Sequence, residues 1–192
     1  SGFESLTAHQ QLERKKMADI TKIITEGPTY QAAQVETLID RYWAGSTFEW
    51  FRRLASPKTK GSRGERMVAD ILEALGAEVP RDKTGKPTKP RGSGTDFDIY
   101  PDQIKTEVKT SSAWEAIDNR FTWQQLRSMQ EYKRIVFLGL NANQAQAWWC
   151  TKEDLEAHVF GRDSFRQHGG THGKQDIYWI HTADYGLDVP AW

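Results

Sequence analysis

Thr95-Asp96-Phe97-Asp98-Ile99-Tyr100-Pro101-Asp102-Gln103-Ile104-Lys105-Thr106-Glu107-Val108-Lys109-Thr110 decides how this chain is read. The pattern predicts two short strands joined by a tight turn at Pro101-Asp102. Alternate side chains of a strand share a face. Asp96, Asp98 and Tyr100 therefore fall on one side of the first strand. Lys105, Glu107 and Lys109 fall on one side of the second, with Ile104, Thr106 and Val108 opposite. If the strands pair, carboxylates from both converge beside an ammonium group. Mg²⁺ takes oxygen ligands, commonly one or two carboxylates together with substrate phosphate and water. Asp98 and Glu107 are the expected carboxylate ligands, the Val108 carbonyl can add a third oxygen, and Mn²⁺ is an expected substitute. Lys109 would lie near the bound water and the scissile phosphate. Phosphodiester hydrolysis is the chemistry that such parts suit.

Working outward, Met67, Val68, Ile71, Leu72 and Leu75 give a helix one apolar face, and Gly76 stops it. Glu65 heads the inward face of that helix. It fits the site, and it equally fits a capping box with Ser62. A short strand is expected from Ala77. Ser56 to Gly61 reads as a basic loop. Arg81 to Thr95 reads as a second one, with Arg81, Lys83, Lys86, Lys89 and Arg91 set against Asp82 alone. Placed directly before the acidic stretch, this second loop is expected to contact phosphate.

Downstream, Arg134 to Leu140 is an apolar run, as in a buried central strand. Ala145 to Cys150 is a further strand. Thr151 caps a helix over Lys152 to His158. Asp176 to His181 is a last strand, after a polar loop from Arg162 to Lys174. Upstream, residues Leu6 to Ile24, Tyr30 to Ala44 and Phe48 to Leu54 read as helices, the third capped by Ser46 or Thr47. The expected architecture is α/β or α+β, a mixed central sheet flanked by helices. Residues 1–56 form a leading helical region packed on a core of residues 57–192, the whole being one compact domain.

Composition narrows the classes. The 192 residues carry zero formal net charge, which leaves nucleic acid open because binding depends on where the positive charge sits. One cysteine, Cys150, excludes an internal disulfide framework and a cysteine-rich zinc site, and it suits an intracellular, reducing, cytoplasmic setting. No apolar run approaches membrane-spanning length, so no membrane partner is expected. A phosphate-binding Gly-rich loop with Lys-Ser/Thr is missing, so no nucleotide cofactor is expected. His168 and His172 sit in a Gly-rich loop and read as exposed. The eight tryptophans read mainly as core.

The Asp98 to Glu107-Val108-Lys109 signature, with its preceding helix, Thr110-Ser111-Ser112 and the apolar strand after it, resembles the PD-(D/E)XK nuclease superfamily. The resemblance covers about Gly61 to Cys150 and is nearest to small type II restriction endonucleases. It implies the restriction-endonuclease-like fold and Mg²⁺-dependent cleavage of DNA. It also implies metal ligation by Asp98 and Glu107, water assistance by Lys109, and a contribution from Glu65. Phe97 stands where the motif has Pro, so Asp96 rivals Asp98 for the metal. Phe121 to Arg127 resembles a polar motif that some members place next, with Gln124 or Gln125 orienting water or touching DNA. Lys58, Lys60, Arg63, Lys83, Lys86, Lys89, Arg91, Ser111 and Arg127 are the expected DNA contacts. A symmetric DNA site would call for a homodimer. Two alternatives on the same fold are a non-catalytic DNA-binding module and a repair or structure-specific nuclease. A protein-interaction domain is a third.

Overall fold

Along the described residues the named elements run α1 (Glu49–Arg52), α2 (Pro57–Ala74), β1 (Thr106–Ser112), β2 (Thr122–Arg127), β3 (Arg134–Leu140), β4 (Ala145–Thr151), α3 (Lys152–His158) and β5 (Ile177–His181). These elements come from a computed structural model that describes residues 40–92, 94, 96–113, 121–167 and 176–181. The expected helix over Leu6 to Ile24, most of that over Tyr30 to Ala44, the His168 and His172 loop and the tail lie outside the described residues.

The fold is α+β. β3 lies at the centre of a mixed sheet of order β1-β3-β4, parallel to β1 and antiparallel to β4. Its side chains are apolar throughout because both faces are covered. Val136, Leu138 and Leu140 pack with Val68, Ala69 and Leu72 of α2, and with Tyr42, Trp43 and Phe51. Ile135 and Phe137 face the other way, into a core with Phe97, Phe121, Trp123, Leu155, Tyr178 and Ile180. Residues 40–56 thus share the α2 core rather than forming a separate unit. β2 and β5 form a separate antiparallel ladder over the second face.

Four details differ from expectation. The long helix starts at Pro57, not after Gly61. Ser56 is its cap and accepts the Thr59 N–H at 3.2 Å, and Pro at the first helical position sacrifices no needed donor. The supposed basic loop is therefore helix, and Glu65 lies too far inside it to cap its start. The run from Ala77 to Val79 is not a strand. Its backbone is tied to the Pro101 turn instead: the Glu78 N–H donates to Asp102 Oδ1 at 2.8 Å, and the Asp102 N–H donates to the Glu78 carbonyl at 2.9 Å. The first arm of the acidic stretch is also not a strand. It makes one antiparallel bridge, Ile99 to Thr106, and then enters a 3₁₀ turn over Pro101–Gln103.

α1 is likewise capped differently. Phe48 precedes it without a side-chain cap, while Ser46 Oγ donates to the Trp43 carbonyl at 2.6 Å. Beside β2 the aromatic rings interlock. Trp123 lies 5.2 Å from Phe137 and 5.4 Å from Trp148, and its Nε1–H donates to the Leu138 carbonyl at 3.0 Å.

Candidate active site

β1 is an edge strand of the described sheet, and its outer edge is where the acidic residues gather. Thr106 pairs with Ile99 across that edge. A strand residue aims its N–H and C=O to the same side, and the side alternates along the chain. Val108 therefore also projects its backbone outward. Its N–H donates to Asp98 Oδ2 at 2.9 Å, and its carbonyl leaves the strand on the same edge. Asp98 is held there because Phe97 and Ile99 on either side are both fully buried.

Glu107 and Lys109 project from the opposite face to Val108, as the alternation requires, and they form an ion pair at 2.7 Å. Glu107 stands level with Ile135 in the ladder, and its side chain is only 4% exposed. Its Oε2 is buried without a hydrogen-bond partner. Burial, and beyond it the Asp98 carboxylate, push the Glu107 carboxyl up to about 7 against the pull of Lys109. Lys109 alone does not offset the burial of that carboxylate beside Asp98, so a further cation would be favoured there.

Glu65 reaches this edge because α2 crosses β1 at very close range. A Cβ added to Gly64 would come within 1.8 Å of Thr110 Oγ1, so only glycine permits the crossing. Burial, then Asp98, raise the Glu65 carboxyl, while Lys86, Lys89 and Lys109 work in the other direction.

These groups line one cavity of about 630 Å³. α2 bounds it with Lys60, Gly61 and Glu65, β1 with Glu107 to Ser112, and β2 with Thr122, Gln124 and Gln125, while Asp98 closes the edge. Asp96 is not among its lining residues. A bulge explains why both glutamines reach it. Trp123 and Leu126 are both buried although three positions apart, which strict alternation forbids. The register shifts between them, Gln125 takes φ +58°, and both glutamine side chains stay exposed. The sequence carried that signal in the Trp123–Leu126 spacing, which the reading of Phe121 to Arg127 as a polar motif did not use. It carried no comparable signal for the Gly64 crossing.

The other expected contacts divide. Lys60 lines the cavity. Ser111 also lines it, and its Oγ accepts the Thr122 N–H at 3.2 Å, tying β1 to β2. Lys58, Arg63, Lys83, Lys86, Arg91 and Arg127 are exposed outside it. Lys89 turns inward, donating to the Phe97 carbonyl at 2.5 Å. Arg81 is held by Asp70 at 2.6 Å and by Glu73 at 2.8 Å. The loop beyond it is built around Asp82, whose carboxylate accepts the Thr84 and Lys86 N–H groups at 2.8 and 3.0 Å.

The donor set suits a hard divalent cation: two carboxylates and an outward carbonyl, with a buried carboxylate oxygen left without a partner. Among the described residues no three His, Cys, Asp or Glu side chains already stand in a ligating group. The fit therefore rests on Asp98, Glu107 and Val108, with Glu65 one step further out. No helix among the described residues is long and apolar enough to cross a membrane. No protein-family model matches the chain, and no curated protein matches it.

Proposed function

We propose that this protein is a metal-dependent endodeoxyribonuclease on a restriction-endonuclease-like fold, closest in kind to a small restriction enzyme. The observation that carries the reading is the single cavity in which Glu65, Asp98, Glu107 and Lys109 meet beside Gln124 and Gln125. Asp98, Glu107 and the Val108 carbonyl would hold Mg²⁺ or Mn²⁺. The ion would polarise a phosphoryl oxygen and acidify water.

The chain's own residues divide the remaining work. Lys109 is kept over the site by its ion pair with Glu107, where an ammonium group opposes negative charge building up on the phosphate. Val108, by donating to Asp98, fixes one carboxylate oxygen and leaves the other to bind. Gln124 and Gln125 line the cavity from β2, where their amides would hydrogen-bond a water molecule or a nucleotide. Exposed Lys83, Lys86 and Arg91, on the Asp82-anchored loop, would track the DNA backbone.

Plasmid DNA incubated with Mg²⁺, with Mn²⁺ and with EDTA tests the reading. Cleavage with either ion, absent in EDTA, is expected for the native chain. Glu107→Ala and Lys109→Ala should each lower the rate at least about 100-fold while DNA binding in EDTA persists. Undiminished cleavage by either variant would sink the site. Binding without any cleavage would favour the non-catalytic module.

A further inference from the structure

Lys60 lines two cavities, the acidic one and a second of about 430 Å³ beside α1. The second cavity is bounded by Asp40, Trp43, Glu49, Arg52 and Arg53 as well. Its acids are already engaged: Asp40 pairs with Arg52 at 3.2 Å, and Glu49 pairs with Arg53. The Asp40 contact takes Arg52 Nε, and among the described residues the two Nη groups have no hydrogen-bond partner. Lys60 is half-buried, and no carboxylate among the described residues offsets it. Among the described residues Arg52 has one exposed acid and Lys60 has none, so the two cations carry net positive charge that an anion would complete.

We propose that Lys60 and Arg52 form a phosphate subsite, through which the nucleic-acid strand passes from the carboxylates into the α1 cavity. The inference rests on the nuclease reading and adds a strand path to it. The ligand is the phosphodiester next to the scissile one. Lys60 touches it from the acidic side and Arg52 from the α1 side. Burial, and then the nearby Arg52 charge, lower the Lys60 pKa, so a bound phosphate would relieve that repulsion.

The test is fluorescence anisotropy of a short labelled duplex, titrated with NaCl in EDTA. Arg52→Ala and Lys60→Ala should each weaken binding several-fold and reduce the slope of log K against log salt by about one. Asp40→Asn, which frees Arg52 from its exposed partner, should tighten binding. That variant also guards against an alanine variant that fails to fold. Native-like affinity and slope in all three variants, in a protein whose native form binds and cleaves DNA, would overturn the subsite and leave the nuclease reading standing. A native chain that neither binds nor cleaves DNA would remove both.

Discussion

The two arms of the acidic stretch are built by different means. Thr106 to Ser112 pairs residue by residue with Arg134 to Leu140, so Glu107 and Lys109 inherit their positions from the sheet. The arm carrying Asp98 has one bridge and one side-chain bond to the Val108 N–H. Beyond them, Phe97 and Ile99 anchor it in the two cores, and the Pro101 turn is tied to Glu78. A ladder distributes its stabilisation over many bonds, whereas the Asp98 arm concentrates it in a few. One half of the site is thus placed by cooperative structure, and the other by individual contacts that single substitutions can remove.

The comparison can be tested most strongly through the rival aspartates. Asp98→Asn should lower cleavage at least about 100-fold, while Asp96→Asn should change it by no more than about threefold. A reversal of that order, read in a metal-dependent cleavage assay, would move the metal to the outer aspartate.

Next comes the pH dependence of the ladder half. The folded chain holds the Glu107 proton more tightly than the unfolded chain does, since the carboxyl is raised from 4.5 to about 7. Its contribution to stability is complete below about pH 4.5 and falls as pH rises towards about 7. Without metal, Glu107→Gln should therefore melt higher than the native chain at pH 8 and match it near pH 4. Mg²⁺ should raise the melting temperature of the native chain but not of the variant. Coincident melting profiles across pH would remove the argument from burial.

Gly64→Ala should cost about 1–3 kcal/mol in urea unfolding, because the new methyl meets Thr110 at 1.8 Å. Adding Thr110→Ala should recover only part of that loss, because the residue-110 Cβ still lies 2.8 Å from the new methyl. The smallest effect concerns the turn. Asp102→Ala removes the acceptor for the Glu78 N–H and leaves a non-glycine residue at φ 50°. About 1 kcal/mol is expected, and slower cleavage should accompany it if the turn helps to hold the Asp98 arm.

How legible all this was in the sequence follows the same division. β1, β3, β4 and α3 were readable because period-two alternation, a fully apolar run and a Thr cap are local signals. The Asp98 arm was misread as a strand, since Ile99 and Tyr100 have strand character. Pro101 lacks an N–H to continue the ladder, and the chain turns away. The start of α2 was placed late because Gly61 and Gly64 weaken helix propensity. Packing of Gly64 on Thr110 overrides that weakness. The basic residues of the loops were all read as phosphate contacts. Arg81 is tied by ion pairs to Asp70 and Glu73, Lys89 donates to the Phe97 carbonyl, and Lys60 lines the cavity. Only tertiary contacts distinguish these uses.

The aromatic cluster beneath β2 has a spectroscopic consequence. Trp123 and Trp148 stand 5.4 Å apart at 72°, and the residue after Trp123 is cavity-lining Gln124. Two indoles so close couple their electronic transitions and give a near-ultraviolet circular-dichroism band sensitive to their mutual angle. A shift of β2 as the cavity fills would alter that band. Trp148→Phe would abolish the coupling and with it that response.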